Sequence, residues 1–279
     1  MKNRLILFGT GSPKPSHERY QTSMALIVNG QPYVIDCGAG VMQRIAEAAL
    51  TNPELDNPNL TRLFLTHLHP DHTAGLADFL ISPWIMQRRE PIHVYGPKGT
   101  KKLVEHLLEA YDEGINAHLE NEAPTQWPFL YEVFEISDGE FYKDDNLTMT
   151  AFRVDHGVLE TYGFEAKTAD NRIVFSGDTC KNNNVIKYAK DCDLLVHESY
   201  SVKGLENSPA WFPRKYFASV HTSSKELGEI GAVSNPKHIV LNHVMQLGTV
   251  TDEEYLAEIR EKFDGELTMG SDLDVFDIG

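Results

Sequence analysis

His67-Leu68-His69-Pro70-Asp71-His72 packs four potential metal ligands into six residues, directly after the apolar run Leu63-Phe64-Leu65. Three imidazoles and a carboxylate that close compete for protons unless a cation organises them. Neutral imidazole and carboxylate are the donor set that suits Zn²⁺ and similar divalent ions. With 12 histidines in 279 residues, a chance polar loop is a poor account of this clustering.

Working outward, residues 63–66 read as a buried strand feeding the cluster. Residues 5–8 read as a strand ending in the turn Gly9-Thr10-Gly11. The apolar runs 24–28 and 33–35 flank Asn29-Gly30, a hairpin signal. Asp36-Cys37-Gly38-Ala39-Gly40 follows, and 41–50 has helical spacing. Residues 73–85 are expected to be helical and broken near Pro83, 92–95 to be a strand and 98–111 a helix. The acidic stretch 112–145, which carries Pro124 and Pro128, is expected to be irregular apart from a strand at 131–136. A second series places strands at 147–154, 162–166, 172–176 and 194–196, with a helix at 185–189. Helices at 223–233 and 253–263 and strands at 238–241, 267–269 and 274–276 complete it. Strands and helices alternate in two similar halves, with no fixed repeat and no low-complexity linker, which argues for a layered α/β domain.

The bulk numbers exclude some classes. Formal net charge is −16, with 41 acidic residues against 25 basic, which disfavours broad binding to phosphate backbones. Cys37, Cys180 and Cys192 show no CxxC spacing, and so sparse and odd a count fits a reducing cytoplasm. The apolar run within residues 1–8 is too short for a signal-peptide core, and no run approaches a membrane span. Residues 200–220 carry Trp211-Phe212-Pro213 and Arg214-Lys215-Tyr216-Phe217. They read either as a binding loop or as a surface loop packing its own aromatics.

Three further strand ends carry ligand chemistry: Asp155-His156-Gly157, Ser176-Gly177-Asp178-Thr179 and Asn242-His243. Layered α/β sheets place their sites at such ends. Each alone is weak; His156 alone reads as a structural histidine and Asp178 alone as a turn residue. Four ends together are hard to explain without a metal.

On these motifs the chain resembles the metallo-β-lactamase superfamily, whose H-x-H-x-D-H signature stands at His67, His69, Asp71 and His72. Its later motifs match at His156, Asp178 and His243, and its early acidic motif at Asp36. The resemblance runs from end to end. It implies an α/β fold in the form of a four-layer αββα sandwich, two mixed β-sheets flanked by helices, with residues 1–279 as one domain. It implies two divalent metal ions, Zn²⁺ first and Mn²⁺ or Fe as alternatives. One would be held by His67, His69 and His156, the other by Asp71, His72 and His243, with Asp178 bridging and Asp36 orienting a ligand or its loop.

Leu7-Phe8-Gly9-Thr10-Gly11-Ser12-Pro13, His197-Glu198-Ser199-Tyr200 and His221-Thr222-Ser223 narrow the resemblance to the tRNase Z and arylsulfatase-like branch. There the histidine matching His221 contacts the scissile group and the glutamate matching Glu198 orients it. A leaving oxygen needs a proton, and an imidazole poised by a carboxylate can supply it. Asp71 is the candidate for shuttling the water proton. The competing reading of His221 is a helix-entry residue, with Thr222 or Ser223 as N-cap. His17, His93, His106, His118 and His238 read as ordinary, and His197 as structural.

The chain departs from tRNase Z at two places. Residues 157–177 read as two ordinary strands where tRNase Z carries a long Gly/Pro-rich arm that grips tRNA. Leu241-Asn242-His243-Val244 lacks the Ser and Arg-Tyr that usually follow there. The expected activity is therefore hydrolysis of a small phosphodiester or sulfate ester by a dimetal-bound hydroxide. The alternatives are a tRNA 3′-processing-like nuclease, with Arg214 and Lys215 supplying a basic surface, and a lactonase or thioesterase, which leaves His221 without a role. A non-catalytic metal-binding protein would show lost ligands, and none is lost. The expected partner is a small-molecule ester, with nucleic acid disfavoured and no membrane. Dimers are common in the resembling branch, so a homodimer is a further expectation.

Overall fold

The alternation of apolar residues sets two sheets back to back. The structure is a computed structural model that describes residues 3–122 and 128–279. The first sheet takes β1 (Asn3–Gly9), β2 (Ser23–Val28), β3 (Gln31–Ile35), β4 (Arg62–Phe64), β5 (Ile92–Gly96) and β6 (Tyr131–Glu135). The second takes β7 (Gly139–Lys143), β8 (Leu147–His156), β9 (Leu159–Thr168), β10 (Arg172–Phe175), β11 (Leu194–Tyr200), β12 (His238–Met245) and β13 (Glu266–Met269). The final strand, β14 (Val275–Ile278), returns to the first sheet beside β1. Orders are β14-β1-β2-β3-β4-β5-β6 and β13-β12-β11-β10-β9-β8-β7. Both sheets are mixed. β3 to β6 pair parallel, as do β10 to β13, and the remaining pairs are antiparallel.

Ten helices are described: α1 (Val41–Ala49), α2 (Pro70–Thr73), α3 (Leu76–Ile85), α4 (Thr100–Ala110), α5 (Asp112–Ala117), α6 (Asn183–Tyr188), α7 (Val202–Glu206), α8 (Arg214–Val220), α9 (Ser224–Ser234) and α10 (Asp252–Arg260). The period of two along β1 sends Leu5 and Leu7 to the inter-sheet core, where they meet residues such as Met149, Phe164 and Val240. Ile6 and Phe8 face the other way, into the layer shared with Val41 and Ile45 of α1, Phe79 of α3 and Val104 of α4. On the second sheet, Val174 and Leu195 pack with Leu227 and Ile230 of α9 and Ile259 of α10. The layers run helix, sheet, sheet, helix, as the resemblance implied. The Asn29-Gly30 turn closes the expected hairpin with both residues at positive φ, 51° and 81°.

Some expectations change. The helix expected to break near Pro83 starts at Leu76 and runs through Pro83 to Ile85. Proline there removes one donor in the last turn. The buried Arg88 guanidinium reaches back to the carbonyls of Phe79 (3.4 Å), Leu80 (2.7 Å) and Leu60 (3.2 Å). Burial lowers Arg88 only to about 10, so it stays charged at neutral pH. Arg88→Met strands these carbonyls and is expected to cost about 2–4 kcal/mol; an unchanged urea midpoint would refute the capping role. The stretch 112–145 is less irregular than expected. It contains α5 and β7 as well as β6, while Pro124 lies outside the described residues. No helix among the described residues is long and apolar enough to cross a membrane.

Candidate metal centre

The four strand ends converge on one spot. After β4 the chain runs extended through His67-Leu68-His69. Adjacent side chains alternate in such a segment, so Leu68 packs into the helical layer while His67 and His69 share the opposite side. Pro70 then opens α2, where its missing N–H is not needed, and this single turn carries Asp71 and His72. His156 is the last residue of β8. Asp178 follows β10 after Gly177, whose φ is 60° and whose added Cβ would lie 2.6 Å from the Tyr162 carbonyl oxygen. His243 projects from β12 at φ 48°, a conformation uncommon outside glycine.

All seven candidate ligands come together in two groups. His67 Nε2 lies 3.0 Å from His69 Nδ1, which lies 3.1 Å from His156 Nε2. His243 Nε2 lies 3.0 Å from Asp71 Oδ2, and His72 Nε2 lies 3.6 Å from it. Asp178 faces both groups. Its Oδ2 is 3.9 Å from His67, 3.8 Å from His156 and 3.3 Å from His243, and its Oδ1 is 3.4 Å from His72.

The residues fit a pair of divalent ions. Tetrahedral bonds of the usual Zn²⁺ length put neighbouring donor atoms about 3.3 Å apart, which is the spacing seen here. His72 Nε2 is buried without a hydrogen-bond partner among the described residues, pointed between Asp71 and Asp178.

The outer nitrogens are held in turn, which fixes ring orientation. His72 Nδ1–H donates to Asp36 Oδ2 at 2.8 Å, and His156 Nδ1–H to the Val220 carbonyl at 2.8 Å. His67 Nδ1 meets Thr66 Oγ1 at 3.1 Å, and the Thr66 hydroxyl and N–H donate to Asp36. Thr66 and the Val220 carbonyl escape sequence reading. Thr66 could have been suspected from its place just ahead of the cluster; a backbone carbonyl carries no residue signal.

Burial holds His67, His69 and His156 below the ordinary imidazole range, so they offer lone pairs at neutral pH. For His72 burial works the same way, but Asp178 and Asp36 outweigh it and hold the ring well above that range. For Asp178 burial opposes ionisation, and His243 and His72 overcome it and hold the carboxyl well below its usual range. Metal uptake therefore competes with a proton on His72. Titration calorimetry in buffers of different ionisation heat is expected to show proton release. Buffer-independent heats would contradict this.

Beside the ligands, His221 Nδ1–H donates to Glu198 Oε1 at 3.0 Å. The same oxygen accepts from the N–H groups of Thr179 (3.0 Å) and Thr222 (3.3 Å). The His221 ring centre is 4.8 Å from that of His156 and 5.8 Å from that of His243. It lies between α8 and α9, and Ser223, not His221, makes the α9 capping box with Glu226. Burial pushes Glu198 well above its usual range, with Asp178 adding to it.

The 200–220 segment folds over this corner. Phe217 lies 4.6 Å from the His221 ring, and Phe212 packs on Phe217. Trp211 and Tyr216 stay exposed at 80% and 63%, so the segment both packs its own aromatics and presents two of them outward. The Arg214 guanidinium donates to the Ser208 hydroxyl and carbonyl, and the residue stays exposed beside Lys215. His93, His106 and His238 meet Glu132, Glu109 and Thr268, away from the centre.

The Anti-Pycsar protein Apyc1 family matches residues 3–208. Ribonuclease Z of Mycobacterium bovis is 30% identical over 274 residues, covering 96% of each chain. Human tRNase Z, short form, superposes with a TM-score of 0.75 at 22% identity over 99% of both chains. YhfI, a metallo-β-lactamase fold protein from Bacillus subtilis, does so with a TM-score of 0.75 at 14% identity over 99% of this chain and all of its own. The chain belongs to the Anti-Pycsar protein Apyc1 family, is related to ribonuclease Z over nearly its full length and has the metallo-β-lactamase fold.

Proposed function

We propose that the chain, acting as one folded unit, hydrolyses a small phosphodiester, with sulfate esters as a neighbouring substrate class. The observation that carries this reading is the Glu198–His221 pair, 3.0 Å apart and set against the ligand cluster. Bound at the two groups, a pair of divalent ions, Zn²⁺ first among them, supplies charge neutralisation at the ester and a water acidic enough to ionise near neutral pH. His67, His69 and His156 form one position, Asp71, His72 and His243 the other, and Asp178 serves both. Asp36 keeps His72 and, through Thr66, His67 in orientation. Asp71, a carboxylate at the edge of the second group, would take up the proton of the attacking water. Glu198 holds His221 by Nδ1, which leaves Nε2 as the nitrogen able to protonate the departing oxygen. Burial lowers His221, and the negative charge of an incoming ester opposes that shift, so the proton is best held when substrate is present.

Ribonuclease chemistry is the second reading, favoured by the near full-length likeness to ribonuclease Z. Two features count against a large polyanion. The segment between His156 and Asp178 is occupied by the β8–β9 turn, β9 and β10, and the net charge is −16. The test is a substrate panel with the zinc-loaded protein: an aryl phosphodiester, cyclic nucleotides, an aryl sulfate, precursor tRNA, a lactone and a thioester. Chelator-sensitive turnover of the phosphodiesters is expected. Turnover confined to the lactone or thioester would overturn the reading, and cleavage confined to precursor tRNA would establish the second.

A further inference from the structure

Between the ligand cluster and the inter-sheet core lies a cavity of about 20 Å³. Its walls include Asp178 and His72 on the ligand side and Met24, Phe175 and Val196 on the core side. His197, Glu198, Asn242 and His243 also line it. These four are brought together by a break in register. His197 pairs with Leu241, but Ser199 pairs with Val244, so Asn242 and His243 together oppose Glu198. A bulge of this kind re-aims side chains, and bulges concentrate near active sites.

Each of the four carries a buried polar atom without a protein partner among the described residues: His197 Nε2, Glu198 Oε2, Asn242 Oδ1 and His243 Nδ1. Buried polar groups are nearly always satisfied, so four on residues lining one cavity call for an explanation. The protonation pattern can be read from the other contacts. His197 Nδ1–H donates to the Glu198 carbonyl at 2.6 Å, so its Nε2 is an acceptor. With His243 Nε2 given to the metal position beside Asp71 and Asp178, as its ligand role requires, the hydrogen sits on Nδ1. The wall therefore presents one donor and three acceptors. A water accepts one such bond and donates two, and needs only about 10–15 Å³.

Among the fully buried ligand imidazoles His243 stands apart: His67, His72 and His156 each have an outer partner in Thr66, Asp36 or Val220, whereas the outer nitrogen of His243 meets none among the described residues. We propose that the cavity holds a resident water that accepts from His243 Nδ1–H and donates to two of Glu198 Oε2, Asn242 Oδ1 and His197 Nε2. His197 and Asn242 are then positioning residues. Through the water they orient His243 toward its ligand position and tie it to the carboxylate that holds His221. This rests on the ligand role given to His243 above, and not on the identity of the ester.

The first test is a crystal structure of the zinc-loaded protein at a resolution that shows ordered solvent. A solvent peak within hydrogen-bond distance of His243 Nδ1 and of two of the other three atoms is expected. A direct Glu198–His197 or Glu198–Asn242 contact closing the cavity, or no peak there, would overturn the proposal. The second is zinc affinity by competition with a chromophoric chelator. Asn242→Leu and His197→Leu are expected to weaken binding about 10–100-fold, the usual loss when an outer partner of a ligand is removed. His197→Gln, whose amide reaches the Nε2 position, is expected to restore most of it. Equal affinity in all three variants, or His197→Gln no better than His197→Leu, would refute the positioning role. Neither readout uses a substrate, so failure of the proposed hydrolysis would be seen separately in the substrate panel.

Discussion

Asp178→Ala is expected to lose both metal equivalents and to lower kcat/KM by about a thousandfold or more. The carboxylate faces both ligand groups, within 3.9 Å of His67, His156, His72 and His243. Removing it leaves His67, His69 and His156 with no anion and Asp71, His72 and His243 with one, and takes one donor from each group. Metal-assisted charge stabilisation is worth several kcal/mol, and about 4 kcal/mol corresponds to about a thousandfold in rate. Elemental analysis of the purified variant checks the metal content. Asp178→Asn, which keeps the volume and removes the charge, separates ligation from packing. Two equivalents retained in Asp178→Ala would sink the bridging assignment.

His221→Ala is expected to keep both metal equivalents and to lose about 10²–10⁴-fold in kcat, the range for a removed general acid. The loss should depend on the leaving group. A nitrophenolate departs without a proton and should suffer little, whereas an alkoxide needs one and should suffer the full effect. Glu198→Gln keeps a hydrogen-bond acceptor for His221 but removes the charge, so an intermediate loss is expected. A loss of the same size for every leaving group would argue for a structural role, in line with the packing of Phe217 and His156 on the ring. Full activity would favour carbon-ester chemistry instead.

The candidate ligands are legible because each is a donor residue at the end of an apolar run, and apolar runs of this kind form strands for local reasons. His67 to His72, His156, Asp178 and His243 could all be found that way, as could the Asn29-Gly30 hairpin. The strand β7 was missed. Gly-Glu-Phe-Tyr-Lys at 139–143 is a half-exposed edge strand, so its alternation is weak and its existence depends on pairing with β8. The strands β8 and β9 run longer than their apolar cores, because their mutual ladder spans all ten residues of each and so takes in 155–156 on one side and 159–161 and 167–168 on the other. Arg88 gave no signal at all, since a buried guanidinium is recognised only once the helix end it caps is in place.

Residue types and their spacing along the chain determined the donor set, the order in which it appears and the class of fold. Those are local properties, set by side-chain chemistry and by the period of burial. The family resemblance implied which donors share a position, that Asp178 faces both groups and that Glu198 reaches His221; tertiary structure supplied the distances that bring them together. It also decided that Asn242 and His243 bulge against Glu198 to form a polar cavity. Each of these depends on the register between strands far apart in sequence, and a shift of one residue there turns a side chain from the site to the opposite face.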